Sequence, residues 1–107
     1  MRIVLCNCPP DEAEHLARRI IDGGLAACVN WIPIVRSMYM WEGERHTEEE
    51  STLICKVSQE RVEDLVKALQ TWHSYDVPEV LALPVDLEHS NAAYVSWVRA
   101  ASAGSPN

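Results

Sequence analysis

The chain has 107 residues, of which 16 are acidic and nine are lysine or arginine, so its formal net charge is −7. This length suits one domain, and a content of 48% hydrophobic and 23% charged residues excludes a disordered or fibrous chain. The negative charge repels phosphate backbones and no segment approaches the ~20 apolar residues of a membrane helix, so neither nucleic acid nor a membrane is an expected partner.

The first predicted elements in chain order are a strand and a helix. The continuous apolar run Ile3–Cys6, closed by Pro9 and Pro10, is typical of a strand buried on both faces. Asp11, with a glutamate three positions later, resembles a capping box, and apolar residues then recur at helical spacing as far as Gly23–Gly24. We therefore predict an amphipathic helix between Asp11 and the glycine pair.

A long β-hairpin follows. Pro33 removes one ladder donor from the first arm, so a bulge or a sheet edge is expected there. After the turn Glu42–Glu44, the returning strand is predicted from about Glu48 to Val57. An extended arm from Ala26 to Trp41 would span about 50 Å, whereas a domain of this size is roughly 35 Å across. The hairpin must therefore bend at Pro33 or project from the domain.

A projecting hairpin would leave large apolar side chains and open strand edges in water. The side chains concerned are Trp31, Met38, Met40 and Trp41. Soluble proteins usually cover such features with another chain, and a cyclic assembly of identical copies is the commonest arrangement. Self-association is the prediction that follows.

The second half of the chain repeats the order of helix and strand. Ser58 is the predicted N-cap of a helix that ends near Trp72, and Val80–Val85 is a predicted buried strand. Asn91 begins a short helix, which is expected to present three apolar residues on one side: Tyr94, Trp97 and Val98.

The complete element order predicts the fold class. Strand, helix, strand, strand, helix, strand is the ferredoxin-like split βαβ plan, an α+β fold with two helices on one face of an antiparallel sheet, here followed by a C-terminal helix. We assign residues 1–101 to this single domain and residues 102–107 to a flexible tail.

The cysteines and the missing motifs bear on function. Residues 1–10 lack the long apolar run of an export signal, so we expect a cytoplasmic location, where thiols stay reduced. Most of the four cysteines are then expected to be small buried residues: Cys6, Cys8, Cys28 and Cys55.

Because no nucleophile elbow, phosphate-binding glycine loop or His-Glu-x-x-His motif is present, we predict that the chain is not an enzyme.

Four separated motifs resemble one known family. They are LAACVN at 25–30, SMYMWEG at 37–43, YDVPE at 75–79 and YVSW at 94–97. In this order, and with a likeness that runs from about Ile3 to Val98, they resemble the CutA family of divalent-cation-tolerance proteins. The resemblance implies a ferredoxin-like homotrimer with long hairpins that pair across subunits, and a link to divalent metals, copper above all. It implies no required cofactor.

The resemblance also indicates candidate metal ligands. Copper ligands proposed for the family are a cysteine near the end of the first strand and a histidine pair before a Pro-Tyr. Cys6 matches the cysteine and His73 matches the second histidine, whereas Trp72 replaces the first histidine and Ser74 the proline. Cys8 shares a strand face with Cys6, so a dithiol could bind Cu(I) in place of the missing ligand. The competing interpretations are core packing for the cysteines and a helix-dipole partner for His73.

A polar cleft near subunit boundaries is the other candidate site. Its predicted residues are Tyr39, Trp41, Glu50, Lys56, Tyr75 and Glu79. The resemblance brings their motifs together, but interface packing would use the same residue types. Three functions follow. The first is a metal-tolerance protein that binds copper or a similar ion, and the second is a trimeric small-molecule sensor analogous to the PII proteins with ligands in these clefts. The third is a purely structural trimer that presents a surface to protein partners.

Overall fold

The computed structural model describes residues 1–102. In chain order the elements are β1 (Arg2–Cys8), a 3-10 turn (Pro10–Glu12), α1 (Ala13–Asp22), β2 (Cys28–Trp41), β3 (Glu44–Val57), α2 (Val62–Trp72), β4 (Val80–Pro84) and α3 (Ala92–Ala101). This order confirms the predicted ferredoxin-like α+β plan. No helix within this part of the chain has both the length and the apolar content to cross a bilayer.

The sheet has four antiparallel strands in the order β2-β3-β1-β4. The strand β1 was predicted to be buried on both faces, but its burial alternates: Val4, Cys6 and Cys8 are fully buried and the residues between them only half-buried. The buried face packs on α1 and α2, whose inward stripes include Leu16 and Leu69. One face of the sheet therefore carries the core, and the other is open in the single chain.

The caps predicted for the first two helices, α1 and α2, are wrong. Asp11 lies in the 3-10 turn that Pro10 begins, and α1 starts after Glu12 without a side-chain capping bond. Ser58 does not cap α2, which starts at Val62. Instead the Ser58 backbone N–H donates to Ser102 Oγ (2.8 Å), and Ser58 Oγ donates to the Ser102 carbonyl oxygen (3.1 Å). Ser58 therefore makes its hydrogen bonds with the buried Ser102 and not with the first turn of α2.

The hairpin of β2 and β3 projects. Each strand has 14 residues, so β3 begins four residues earlier than predicted, and the chain measures 47 Å in its longest dimension against 29 and 21 Å across. Glu42 and Gly43 both have positive φ (52° and 80°), as a tight hairpin turn requires. The register shifts between Ile32 and Val35, which confirms the irregularity predicted at Pro33.

The outer half of the hairpin is exposed, as predicted. Met38 is 67% exposed, Met40 64% and Trp41 54%. Within residues 1–102 of the single chain, β2 and β4 are the edge strands of the sheet, and no strand pairs with their outer edges. The features that motivated the prediction of self-association are thus present.

The helix α3 closes one end of the sheet. Asn91 caps it as predicted, because its side-chain oxygen accepts from the Tyr94 N–H (3.0 Å). The buried residues are Val95 and Val98, which pack with Met1. Tyr94 and Trp97 are exposed, so only Val98 of the three residues expected on one side is buried. Ser102, the first residue of the predicted tail, is fully buried, and residues 103–107 lie outside the described part.

Candidate functional site

A cavity of about 630 Å³ lies between the outer half of the hairpin and the loop that follows α2. Three aromatic side chains line it: Tyr39 and Trp41 from β2 and Tyr75 from the loop. Four carboxylates also line it: Glu48, Glu50, Asp76 and Glu79. All of its charged lining residues are thus acidic, so the cavity favours a cationic ligand over an anionic one.

The strand register explains why hairpin residues meet in this cavity. Ser37 lies opposite Glu48 and Val35 lies opposite Glu50. Because side chains alternate along a strand, every second residue of each arm points to the same side. The loop residues reach the cavity because the Asn7 N–H donates to the Glu79 carbonyl oxygen (3.3 Å), which fixes the end of the loop beside β1.

Glu50 is the most buried carboxylate of the cavity, with 7% of its surface exposed. The Tyr75 hydroxyl donates to Glu50 Oε2 (3.3 Å). Burial, the Glu50 charge and this hydrogen bond together raise the pKa of Tyr75 to about 12, so the phenol stays protonated and keeps donating. The ion pairs seen among residues 1–102 join other residues, so Glu50 has a phenol as its partner and no cation.

Five of the six predicted cleft residues line the cavity, and Lys56 does not. Lys56 lies six residues beyond Glu50 on β3, which is ~20 Å along an extended strand. It lies opposite Cys28, with Nζ 4.0 Å from the cysteine sulfur. The sequence placed Lys56 and Glu50 on one face of β3. Two residues that share a face can still be far apart along the strand, as these two are.

Glu48 and Asp76 were missed by the sequence analysis. Glu48 belongs to the acidic run 48–50, and the two-residue period of a strand puts it on the same side as Glu50. Asp76 lies within the YDVPE motif at 75–79. The strand period could therefore have identified Glu48 as a cavity residue, and the motif could have identified Asp76.

The predicted cysteine and histidine site is not assembled as a ligand set. Cys6 and Cys8 are fully buried on the helix-covered face of the sheet. Burial is the main cause that raises the pKa of Cys6 to about 12 and that of Cys8 to about 11, so both remain protonated thiols at neutral pH. A metal ion needs the thiolate, so it would have to displace a tightly held proton from each.

His73 is already occupied at both ring nitrogens. Its Nδ1 accepts from the Tyr75 N–H (3.1 Å), and its Nε2 lies 2.6 Å from the Asn7 carbonyl oxygen. Because Nδ1 accepts, the ring proton is assigned to Nε2, which donates to Asn7. The histidine therefore links the loop to β1 and has no free lone pair for a metal.

Trp72, which stands where the first histidine of the pair was expected, has a packing role. The Arg19 guanidinium carbon lies 4.0 Å from the centre of its ring. This cation–π contact joins the end of α2 to α1. The substitution thus replaces a possible ligand with an interhelical contact.

One group of three possible metal ligands within residues 1–102 has all its ligand atoms within 4.8 Å of one another: Asp86, Glu88 and His89. His89 Nδ1 lies 2.9 Å from Asp86 Oδ2. All three residues are exposed, and the group contains no buried carboxylate comparable to Glu50. The sequence analysis did not single out this group, because its members lie in a loop without a strong motif.

The chain is similar to known proteins over nearly its whole length. Residues 2–101 match the family described as CutA1 divalent ion tolerance protein. The divalent-cation tolerance protein CutA of Escherichia coli is 37% identical over 99 residues, which are 92% of this chain and 87% of that protein. Protein CutA 1, chloroplastic, of Oryza sativa subsp. japonica is 40% identical over 98 residues, 91% of this chain, and the chain spans about half (54%) of its length.

Solved structures agree with the fold. The PII-like protein CutA from Nostoc sp. PCC 7120 in apo form has a TM-score of 0.91 and 36% identity, covering 95% of this chain and 97% of that one. The divalent cation tolerance protein of Thermus thermophilus has a TM-score of 0.86 and 33% identity, covering 94% and 97%. With a family match over nearly its whole length and relatives above 30% identity, the chain belongs to the CutA1 family of divalent ion tolerance proteins.

Proposed function

We propose that this chain takes part in tolerance of divalent metal ions as a cytoplasmic homotrimer that binds copper or a similar ion without catalysis. The observation that carries the proposal is that four carboxylates line one cavity, in a member of a divalent ion tolerance family. The four are Glu48, Glu50, Asp76 and Glu79.

Electrostatics favour a cation in this cavity. Carboxylates gathered in one cleft repel one another, and a bound cation relieves that repulsion. The net charge of −7 also raises the cation concentration near the surface. Among divalent first-row ions, Cu²⁺ binds a given set of oxygen or nitrogen ligands most tightly, so copper is the leading ion for this cavity.

The trimer is supported by the hairpin. Met38, Met40 and Trp41 are exposed near its tip, and the outer edge of β2 has no strand partner within residues 1–102 of the single chain. Pairing between hairpins of neighbouring copies would satisfy that edge and cover the apolar side chains. The four cysteines are free thiols, as expected for a reducing compartment such as the cytoplasm.

Calorimetric titration tests direct binding. We expect heat of binding when Cu²⁺, or the redox-inert Zn²⁺, is titrated into the native chain. The double variant Glu48→Gln/Asp76→Asn, which leaves the buried Glu50–Tyr75 hydrogen bond in place, should bind about tenfold more weakly, because two charged ligands are lost. No heat from the native chain would exclude direct binding.

Matched variants separate the cavity from the other candidate ligands. His89→Ala removes a ligand from the exposed group 86–89, and Trp72→His restores the histidine pair; neither should change the affinity. Loss of binding in His89→Ala would move the site to the loop before α3. A large gain in Trp72→His would favour the cysteine and histidine site.

Sedimentation tests the assembly. The expected particle has three times the 12.0 kDa mass of the chain. Met40→Asp should weaken the assembly, because it puts a charge on the proposed apolar contact, whereas Leu87→Asp, at an exposed leucine away from the hairpin, should not. A 12.0 kDa particle at low micromolar concentration would exclude the trimer.

A second candidate function is a small-molecule sensor that uses the same cavity. Its volume of about 630 Å³ is that of a small-molecule pocket rather than of a single-ion site. Aromatic walls beside carboxylates suit an organic cation, which the ring faces of Tyr39, Trp41 and Tyr75 can attract.

One variant distinguishes the two candidates. Trp41→Leu removes an aromatic wall and leaves every carboxylate in place. We expect it to weaken binding of tetramethylammonium, used as the probe, and to leave Zn²⁺ binding unchanged. If the native chain binds Zn²⁺ and not tetramethylammonium, the sensor hypothesis for organic cations is wrong.

A further inference from the structure

A cluster of a thiol, an ammonium group and a phenol lies at the other end of the sheet from the acidic cavity. Cys28, at the start of β2, is the Cα partner of Lys56 on β3, so their side chains emerge side by side on the open face. Lys56 Nζ lies 4.0 Å from Cys28 Sγ. The neighbouring backbone holds this register, because the Ala27 N–H donates to the Lys56 carbonyl oxygen (2.9 Å).

The third member, Tyr94, comes from the first turn of α3. Packing of Val95 against Met1 holds this helix on the end of the sheet, and Ala27, the residue before Cys28, belongs to the same contact. Burial, the charge of Cys28 and a hydrogen bond with it raise the pKa of Tyr94, so the phenol is a protonated neighbour of the sulfur. Three separate elements thus converge on one sulfur atom.

Cys28 differs from the other three cysteines in its surroundings. Cys6, Cys8 and Cys55 are fully buried in the core, and burial raises the pKa of Cys6 and of Cys55 to about 12 and that of Cys8 to about 11. Cys28 is half-buried and has a cation beside it. The thiolate is the nucleophilic form of a cysteine, and a cation beside the sulfur attracts anionic reagents.

We infer that Cys28 is a covalent modification site for small anionic electrophiles, with the Lys56 ammonium attracting the reagent to the sulfur. In the reaction the Cys28 sulfur donates an electron pair to the electrophilic carbon and a sulfur–carbon bond forms. The bond from that carbon to the leaving group breaks, and the leaving group departs with its electron pair. The thiol proton goes to solvent before the attack, so no oxidant or reductant is needed.

Alkylation of the native full-length chain provides the test. Iodoacetate is the anionic probe and iodoacetamide its neutral counterpart, and the leaving group is iodide in both cases. We expect peptide mapping to find Cys28 alkylated well before Cys6, Cys8 and Cys55. Equal labelling of the four cysteines, or labelling of a buried one first, would overturn the proposal.

The ratio of the two alkylation rates isolates the role of Lys56. Both probes react with the same thiolate, so a change in its population cancels from the ratio. Lys56→Met should lower the iodoacetate-to-iodoacetamide ratio about fivefold, the effect of one unit charge at this distance in water, and Lys56→Arg should keep most of it. Lys67→Met, at the only other lysine of the sequence, is the matched control and should leave the ratio unchanged. An unchanged ratio in Lys56→Met would overturn the role of the ammonium.

A salt titration keeps the test decisive if the Lys56 variants fail to fold. With the unmodified sequence, added salt should lower the iodoacetate-to-iodoacetamide ratio at Cys28, because it screens attraction to a nearby positive charge. A ratio that rises or stays constant with salt would mean that the sulfur has no net cationic neighbour, and the inference would be wrong.

Discussion

The Tyr75 hydroxyl donates to the Glu50 carboxylate across 3.3 Å, and this bond joins the loop after α2 to the projecting hairpin. His73, two residues earlier, ties the same loop to β1 through the Asn7 carbonyl oxygen (2.6 Å). Its ring also packs against Tyr75, with centroids 4.7 Å apart. The inner wall of the acidic cavity is therefore held by polar contacts on both sides of one short loop.

Removal of the Tyr75 hydroxyl should destabilise the chain. Tyr75→Phe leaves the buried Glu50 carboxylate without its donor, and we expect a loss of about 1 to 2 kcal/mol in the free energy of unfolding. Urea denaturation followed by circular dichroism measures it. Tyr39→Phe, on the exposed part of the hairpin, should cost less than about 0.5 kcal/mol; equal losses in the two variants would contradict a special role for the bond.

Stability should fall as the pH rises above about 9. Unfolded thiols ionise near pH 9, whereas burial raises the pKa of Cys55 and Cys6 in the folded chain to about 12. The folded state then binds more protons than the unfolded state, so the free energy of unfolding decreases between these two values. Tyr75 acts in the same direction, since its pKa rises from 10 to about 12.

Thermal melts at a series of pH values between 8 and 11 check this prediction. The melting temperature should be nearly flat at the lower end and should then decline. Cys55→Ala should have a shallower decline than the native chain, because one shifted group is gone. A native melting temperature that stays constant up to pH 11 would contradict the assignment of buried protonated thiols.

The core between α2 and the sheet should be sensitive to truncation. Leu69 is fully buried in the main cluster, so Leu69→Ala should lower the free energy of unfolding by about 3 kcal/mol through lost burial and an unfilled cavity. Denaturant titration measures the change. Leu87→Ala, at an exposed leucine, is the matched control and should cost less than about 0.5 kcal/mol.

Ser102 should matter to stability although sequence analysis placed it in a tail. Ser102→Ala removes the oxygen that accepts from the buried Ser58 N–H (2.8 Å). An unsatisfied buried donor costs about 1 to 3 kcal/mol, and the same loss is expected in denaturant titrations. Ser90→Ala, at the half-buried Ser90, should have a smaller effect. A neutral Ser102→Ala would mean that water replaces the lost acceptor.

Local patterns were sufficient for most of the elements and for much of the cavity. Helical spacing located α1 and α2, and the two-residue period of the hairpin placed Tyr39 and Trp41 together. They failed where a distant partner decided the outcome. Ser58 has the chemistry of an N-cap, but its hydrogen bonds go to Ser102, 44 residues away in the chain.

The sequence by itself determined the element order, the fold class and the family, because each depends on periodicity or on motifs within a short stretch of chain. It left open whether the hairpin bends at Pro33 or projects, and the folded chain shows that it projects. Tertiary structure alone decided which side chains meet. In the folded chain Lys56 lies far from Glu50 and close to Cys28, and hydrogen bonds occupy both ring nitrogens of His73. The physical reason is that strand register, loop path and burial depend on segments far apart in the chain. The contacts between those segments determine which polar groups remain free to bind a ligand.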